Sequence, residues 1–299
     1  KEVIGSQKLG LANGLMQMLT MAGILGGMAL GGEWFDSGLK SINEAEGIDP
    51  RNAWRAATIP VIAIGLASLL PLIIGLFIVR TPDHPGTEFK KSIFWSHFLD
   101  LRYMFSQIVL RRTGLLIAFY WLVANFMGLA FFGFAKELNP DVAKGGVSSS
   151  SGRMFIVVGI GLIVGSLTVS YLTKGGNKRK LSILGGFGMA LGLLGMGLLP
   201  PESTAWFACV GAMGYASGFF IVPLNAHLQD QIDANHRGRV LSAQNLLGSL
   251  SGIMAIAASS LMKLEGLSIS TQVLIFVPLV VAVSILLNRL LNVSAQTAE

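Results

Sequence analysis

Six amides stand within stretches that are otherwise apolar: Asn13, Gln17, Asn125, Asn225, Gln244 and Asn245. Each offers two N–H donors and a carbonyl acceptor without carrying charge. Grouped around a cavity, they could hold a polar head group by hydrogen bonds alone. Asn13 and Gln17 are one helical turn apart and share a face. Asn225 follows Pro223, whose missing N–H can kink a helix and turn the amide inward. The plainer reading is hydrogen bonding between neighbouring helices, worth about 0.6 to 2 kcal/mol each. That suffices for any single residue; for the set, contact with a ligand by at least two members is expected. Catalytic chemistry is not in view. No Ser/His/Asp arrangement, carboxylate pair or metal-ligand spacing is present, and no glycine cluster forms a phosphate-binding loop. His227, beside Gln229 and Asp230, reads as an interfacial histidine rather than a proton relay. The expectation is a protein that is not an enzyme and needs no cofactor or metal.

The elements that carry these amides follow from composition. Of 299 residues, 52% are hydrophobic and 13% charged, against about 25% charged in soluble domains. Eight stretches come near or exceed the roughly 20 apolar residues that a spanning helix needs. They are 10–32, 56–79, 113–135, 154–173, 181–199, 205–229, 240–262 and 271–288. None contains Asp, Glu, Lys or Arg. The period-2 alternation of an outer-membrane barrel is absent, so the fold class is all-α, a polytopic helical membrane protein. A net charge of +6 does not point to nucleic acid, because the basic residues lie between apolar runs rather than on one face with interleaved aromatics. Cys209, the single cysteine, excludes an internal disulfide and reads as a packing residue. Many of the 37 glycines pair at small-xxx-small spacing, among them Gly161/Gly165, Gly188/Gly192, Gly214/Gly218 and Gly248/Gly252. Such pairs let helices approach closely in lipid.

Fifteen of the 22 Lys and Arg residues fall on the side that holds the N-terminus, and seven on the other. The positive-inside rule makes the first side cytoplasmic. With an even number of spans, both ends of the chain lie there. Residues 33–55 and 136–153 are polar connections on the outer side, the second containing GGVSSSSG. The longest inner segment, 80–112, opens with TPDHPG and then places Phe94, Phe98, Leu101, Phe105 and Ile108 on one helical stripe. Lys90, Lys91, His97 and Asp100 lie off that stripe. This predicts a helix lying apolar face down on the inner leaflet; a soluble regulatory or partner-docking helix is the alternative. The chain opens KEVIGSQKLG without an initiator methionine and runs directly into a span, so a preceding segment is expected.

Two places share a grammar: SQKLGLANGLMQMLTMAGILGG from Ser6 and NHRGRVLSAQNLLGSLSGIMAI from Asn235. Each has a basic loop, then a helix carrying two amides, then small residues. Transporter folds are often built from such repeated halves, and the pair resembles the loops before helices 5 and 11 of the major facilitator superfamily. GSLTVSYLTKGGNKRK (165–180) is similar to the second-half copy of that family's Gly-x-x-x-Asp-Arg-x-Gly-Arg-Lys loop. Gly165 and the basic cluster match, whereas Ser170 and Tyr171 stand near the acidic position. KLGLANGLM (8–16), VPLNAHLQ (222–229) and RGRVLSAQNLL (237–247) resemble the bacterial lysophospholipid transporter branch, which includes transporters fused to acyl-glycerophosphoethanolamine acyltransferases.

The resemblance implies a major facilitator fold represented by helices 5 to 12, with the first four helices missing from this chain. Residues 1–79 would be the last two helices of the N-terminal bundle, 80–112 a cytoplasmic linker, and 113–299 the C-terminal bundle. It implies alternating access for an amphiphile, a lysophospholipid by preference, in the bacterial inner membrane. The amides would meet the head group. Gly165, Lys174, Lys178, Arg179, Lys180, Arg237 and Arg239 would form the inner gating loops. The expected partners are membrane lipids, the amphiphilic substrate and an acyltransferase, fused or associated. A proton-coupled drug or metabolite exporter and a non-transporting membrane anchor remain as alternatives. The orientation is open to a direct check: in intact cells, a cysteine placed at Thr87 in a Cys209-free background should be shielded from an impermeant thiol reagent. Labelling from outside would invert the topology.

Overall fold

The computed structural model describes residues 9–77, 93–141, 144–172, 178–233 and 236–290. Every regular element among them is helical. In chain order these are α1 (Leu9–Glu46), α2 (Asn52–Ala67), α3 (Leu69–Gly75), α4 (Ile93–Ser106) and α5 (Ile108–Leu138). They continue as α6 (Val147–Leu172), α7 (Lys178–Leu198), α8 (Thr204–Asp230), α9 (Arg237–Leu264) and α10 (Ile269–Leu290). With α2 and α3 taken as one interrupted span, seven helices are long and apolar enough to cross a membrane: that pair and α5 to α10. The remaining predicted span, 10–32, lies within α1, where the side chains of residues 9–22 fall outside the described residues.

Two departures from the sequence reading have local causes. Residues 33–46, expected in a polar connection, continue α1 as helix. Gly32, Asp36 and Leu39 are buried at the i, i+4, i+7 spacing of one helix face, and Lys40 pairs with Glu44 one turn on. The helix ends where Gly47, at φ +86°, donates its N–H to the Asn43 carbonyl at 3.0 Å, a left-handed cap that glycine adopts readily. Asn52 then closes the turn, donating to Asn43 Oδ1 at 2.8 Å and to the Gly47 carbonyl at 2.9 Å. Glu46 accepts from Arg55, and this hydrogen bond holds its carboxyl below the usual range. The predicted span 56–79 is interrupted at Ser68. Pro71 has no N–H for the Ala67 carbonyl and its ring crowds it, while Ser68 Oγ donates to the Gly65 carbonyl at 2.6 Å.

The helices fall into two compact units, Lys1–Glu88 with Phe134–Ile156, and Phe89–Gly133 with Val157–Glu299. The second is organised by glycines. On α6, Gly161 lies against the Gly211 carbonyl and Gly165 against the Tyr215 carbonyl of α8. In return, Gly214 of α8 lies against the Val158 carbonyl, and Gly218 meets the Ser166 amide. Each pair therefore admits the other helix's main chain. α7 approaches α8 in the same way: a Cβ at Gly192 would come 2.7 Å from Met213 Cβ, and one at Gly188 2.7 Å from Ala216 Cβ. The Cys209 thiol rests against Gly195, the packing role expected of it. The α7–α8 turn is fixed by Ser203, whose hydroxyl caps α8 by accepting the Trp206 N–H at 3.2 Å. Fully buried Trp206 donates its indole N–H to the Met196 carbonyl at 3.0 Å. Aromatic pairs add α5: Tyr120 stacks on Phe220 of α8 at 6.2 Å, and Phe126 on Phe276 of α10 at 4.0 Å.

These contacts separate two kinds of glycine. Gly214→Ala drives a methyl into a main-chain carbonyl that cannot rotate away, and should cost about 1–3 kcal/mol. Gly248→Ala meets only Trp121, at an ordinary 3.7 Å, and gains helix propensity of up to about 1 kcal/mol. Thermal unfolding of the purified variants in detergent should lower the midpoint for the first and leave or raise it for the second. Equal midpoints would refute backbone contact at Gly214.

Candidate functional site

α5 and α9 run side by side in the same direction. Gly114, Trp121 and Asn125 of α5 face Gln244, Gly248 and Gly252 of α9 in order. Gln244 is buried and donates through Nε2 to the Gly114 carbonyl at 3.5 Å, while its Oε1 is buried without a hydrogen bond. Beside and beyond Gln244 the surroundings change. Asn125 is exposed, and uses one N–H on the Trp121 carbonyl of its own helix at 2.7 Å. Asn245 and Ser249 are also exposed, with Ser249 Oγ donating to the Asn245 carbonyl at 3.1 Å. Gly248 and Gly252 lie half-buried beside them. The result is a short patch of polar and small residues on α9, with exposed Leu241 one turn before Asn245 and exposed Ile256 one turn after Gly252 on the same side. Exposed Leu250, Ile253, Met254 and Leu261 adjoin this patch, Ile253 lying one turn beyond Ser249 on the same ridge.

Of the predicted amides, Gln244 and Asn125 stand about two turns apart on the α5–α9 seam, and Asn245 is exposed on α9 next to Gln244. Asn225 stands on α8, half-buried, two residues beyond buried Pro223. Asn13 and Gln17 lie on α1 with side chains outside the described residues.

The basic residues divide further. Gly165 is a packing position against α8. Lys178, at the start of α7, forms an ion pair with Asp230 at the end of α8. Arg179 is half-buried and Lys180 exposed, and Lys174 lies outside the described residues. Arg237 is half-buried, with its Nε making no hydrogen bond. Arg239 has the most developed surroundings. Its Nε donates to Asp100 Oδ1 of α4 at 2.7 Å, and its guanidinium carbon sits 5.2 Å from the Tyr103 ring centre. Tyr103 in turn stacks on His236 at 4.6 Å. α4 is thus clamped to the first turn of α9 by an ion pair, a cation–π contact and a ring stack.

This corrects the face assigned to α4. Asp100, read as lying off the apolar stripe, is only 8% exposed, and Met104 beside it is fully buried over Gly114. Of the stripe, Phe98 is exposed whereas Leu101 and Phe105 are half-buried. The outward face is instead Trp95, Phe98, Leu99 and Arg102. Burial of the carboxylate is what a stripe of apolar residues could not signal. The clue was present, however: Asp100 is the single acid in α4, in a segment that also holds Lys90, Lys91, Arg102, Arg111 and Arg112.

A family model described as Major Facilitator Superfamily matches residues 1–256. No curated protein and no solved structure matches the chain.

Breaking the α4–α9 clamp leaves a buried carboxylate uncompensated. Because Arg239 keeps a side-chain exposure of 46%, Arg239→Ala should cost about 1–2 kcal/mol rather than the full penalty of a buried pair. Asp100→Asn with Arg239→Gln should recover part of it. The measurement is thermal stability of single and paired variants; additive losses would show that the two side chains act independently.

Proposed function

This chain belongs to the Major Facilitator Superfamily, and we propose that, as a multi-pass membrane transporter, it carries an amphiphile of lysophospholipid type across a bacterial inner membrane by alternating access. The observation that carries the reading is the exposed patch of Asn125, Asn245 and Ser249 among the exposed apolar residues of a spanning helix. An exposed polar patch in the middle of a span is costly against hydrocarbon, so it belongs to a hydrated pathway. The exposed Leu250, Ile253 and Met254 beside it suit acyl chains. One helix then offers hydrogen bonds to a head group and an apolar flank to its tail. The amides are neutral, so Asn125 and Asn245 serve as donors and acceptors for a zwitterionic or anionic head group without titrating. Gln244 braces the patch against α5. Asn225, Asn13 and Gln17 are the further candidates for head-group contact.

On the inner side, Lys178, Arg179, Lys180, Arg237 and Arg239 set orientation and form the gate. The reading treats 1–79 and 113–299 as parts of two bundles and 80–112 as their cytoplasmic linker. An acyltransferase, fused or associated, is the partner that would consume an imported lysophospholipid.

The test is uptake of labelled lysophospholipid into vesicles holding the protein. Asn125→Ala and Asn245→Ala should each slow uptake about fivefold or more, the effect of one lost hydrogen bond to a charged or polar group. Their melting midpoints should stay near wild type, since both side chains are exposed. Ile253→Ala, which trims the flank but keeps it apolar, should slow uptake less than either amide variant. If the wild-type protein moves no lysophospholipid above empty vesicles, the substrate assignment is lost. If the amide variants lose transport only in proportion to folded protein, the patch is packing.

A further inference from the structure

We infer that Asp36 is a reversible outer latch, its carboxylate joining α1 to the first turn of α6 in one state of the cycle and releasing it in the other. The inference rests on the transporter reading above, in which α1 and α6 belong to different bundles. Asp36 Oδ2 accepts the Ser149 N–H at 2.7 Å across 113 residues of sequence. That N–H belongs to the first turn of α6, where the helix has no partner of its own for it. A carboxylate there satisfies the donor and meets the positive end of the helix dipole.

The surroundings bring the two elements into register. One turn before Asp36, Gly32 touches the Ser148 carbonyl so closely that a Cβ would come within 2.6 Å. The chain leading into α6 turns through Gly145 at φ +79° and Gly146 at φ +99°, a pair of left-handed positions suited to glycine. Asn139 steadies that turn, donating to the Ala135 carbonyl at 2.9 Å and to Ser150 Oγ at 3.2 Å.

The contact is built to part. Asp36 is 8% exposed, yet its Oδ1 is buried and makes no hydrogen bond. A permanent staple would satisfy both oxygens, because an unpaired buried acceptor carries a desolvation penalty. Gly32 contributes no side chain that would interlock. Separation therefore disrupts one charged hydrogen bond and a smooth glycine contact, and it returns Asp36 to water.

The experiment uses spin labels at cysteines replacing exposed Lys40 of α1 and Arg153 of α6, in a Cys209→Ala background and lipid nanodiscs without substrate. The inter-label distance distribution should show two populations in the wild type. Asp36→Ala should deplete the shorter one about fivefold, the worth of a helix cap. Asp36→Asn, which keeps an acceptor, should remain near wild type. Should Asp36→Ala fail to fold, Ser149→Pro removes the donor at a first-turn position where proline is tolerated, and should give the same depletion. A single distance common to wild type and the donor or acceptor deletions overturns the latch, as does an Asp36→Asn shift equal to that of alanine. No transported substrate enters the measurement, so failure of lysophospholipid uptake leaves this result intact.

Discussion

Hydrocarbon does little to push helices together, since lipid tails are as apolar as leucine. The packing of this protein therefore depends on how closely main chain can approach main chain, and that is decided where α6 crosses α8. Gly161 and Gly165 on one helix, and Gly214 and Gly218 on the other, admit each other's carbonyl and amide groups. That approach sets the position of Phe220, two residues beyond Gly218 on α8, and so of Tyr120 stacked on it from α5. α5 in turn carries Gly114, Trp121 and Asn125, the residues against which α9 is registered. The polar patch on α9 is thus placed, through three helices, by a contact that has no side chain in it.

At the helix ends that carry Lys178 and Arg239, placement is electrostatic. Lys178 with Asp230 joins the start of α7 to the end of α8, and Arg239 with Asp100 joins α4 to the start of α9. Because α4 passes into α5 through Gln107 alone, the clamp also holds the start of α5 near the start of α9. Met104, seated over Gly114, ties this junction to the α5–α9 seam. α4, α5 and α9 are in this sense one mechanical piece.

Much of this was legible in the residues, and the reasons differ from element to element. Spans α5 to α10 follow from unbroken apolar length, a signal that tertiary contacts cannot override because lipid imposes it. The glycine pairs announced close packing but not their partners: nothing in Gly214 or Gly161 names the other helix. The polar patch was half visible, since Asn125, Gln244 and Asn245 stood out as amides in apolar runs. Ser249 and the glycines between them looked like ordinary small residues. α4 shows the opposite case. Its apolar stripe was real, but burial followed an ion pair to a residue 139 positions away, which no local period encodes. Asp36 was hidden for a similar reason, as one acid in a run that looked like a polar connection.

The length of α1 has a mechanical consequence. Thirty-eight residues make a rod of roughly 57 Å at about 1.5 Å per residue, nearly twice the roughly 30 Å of a bilayer's hydrocarbon. Its last turns carry Lys40, Glu44 and Glu46 well past the apolar run of 10–32. Such a rod amplifies: a tilt of about 10° about its Leu9 end sweeps its far tip through roughly 10 Å, while a point halfway along moves half as far. A slight tilt at the Leu9 end would therefore become a large displacement at the α1–α2 hairpin. A binder that grips this hairpin would therefore hold the long arm of the lever, and small forces there would act strongly on the helix within the bilayer.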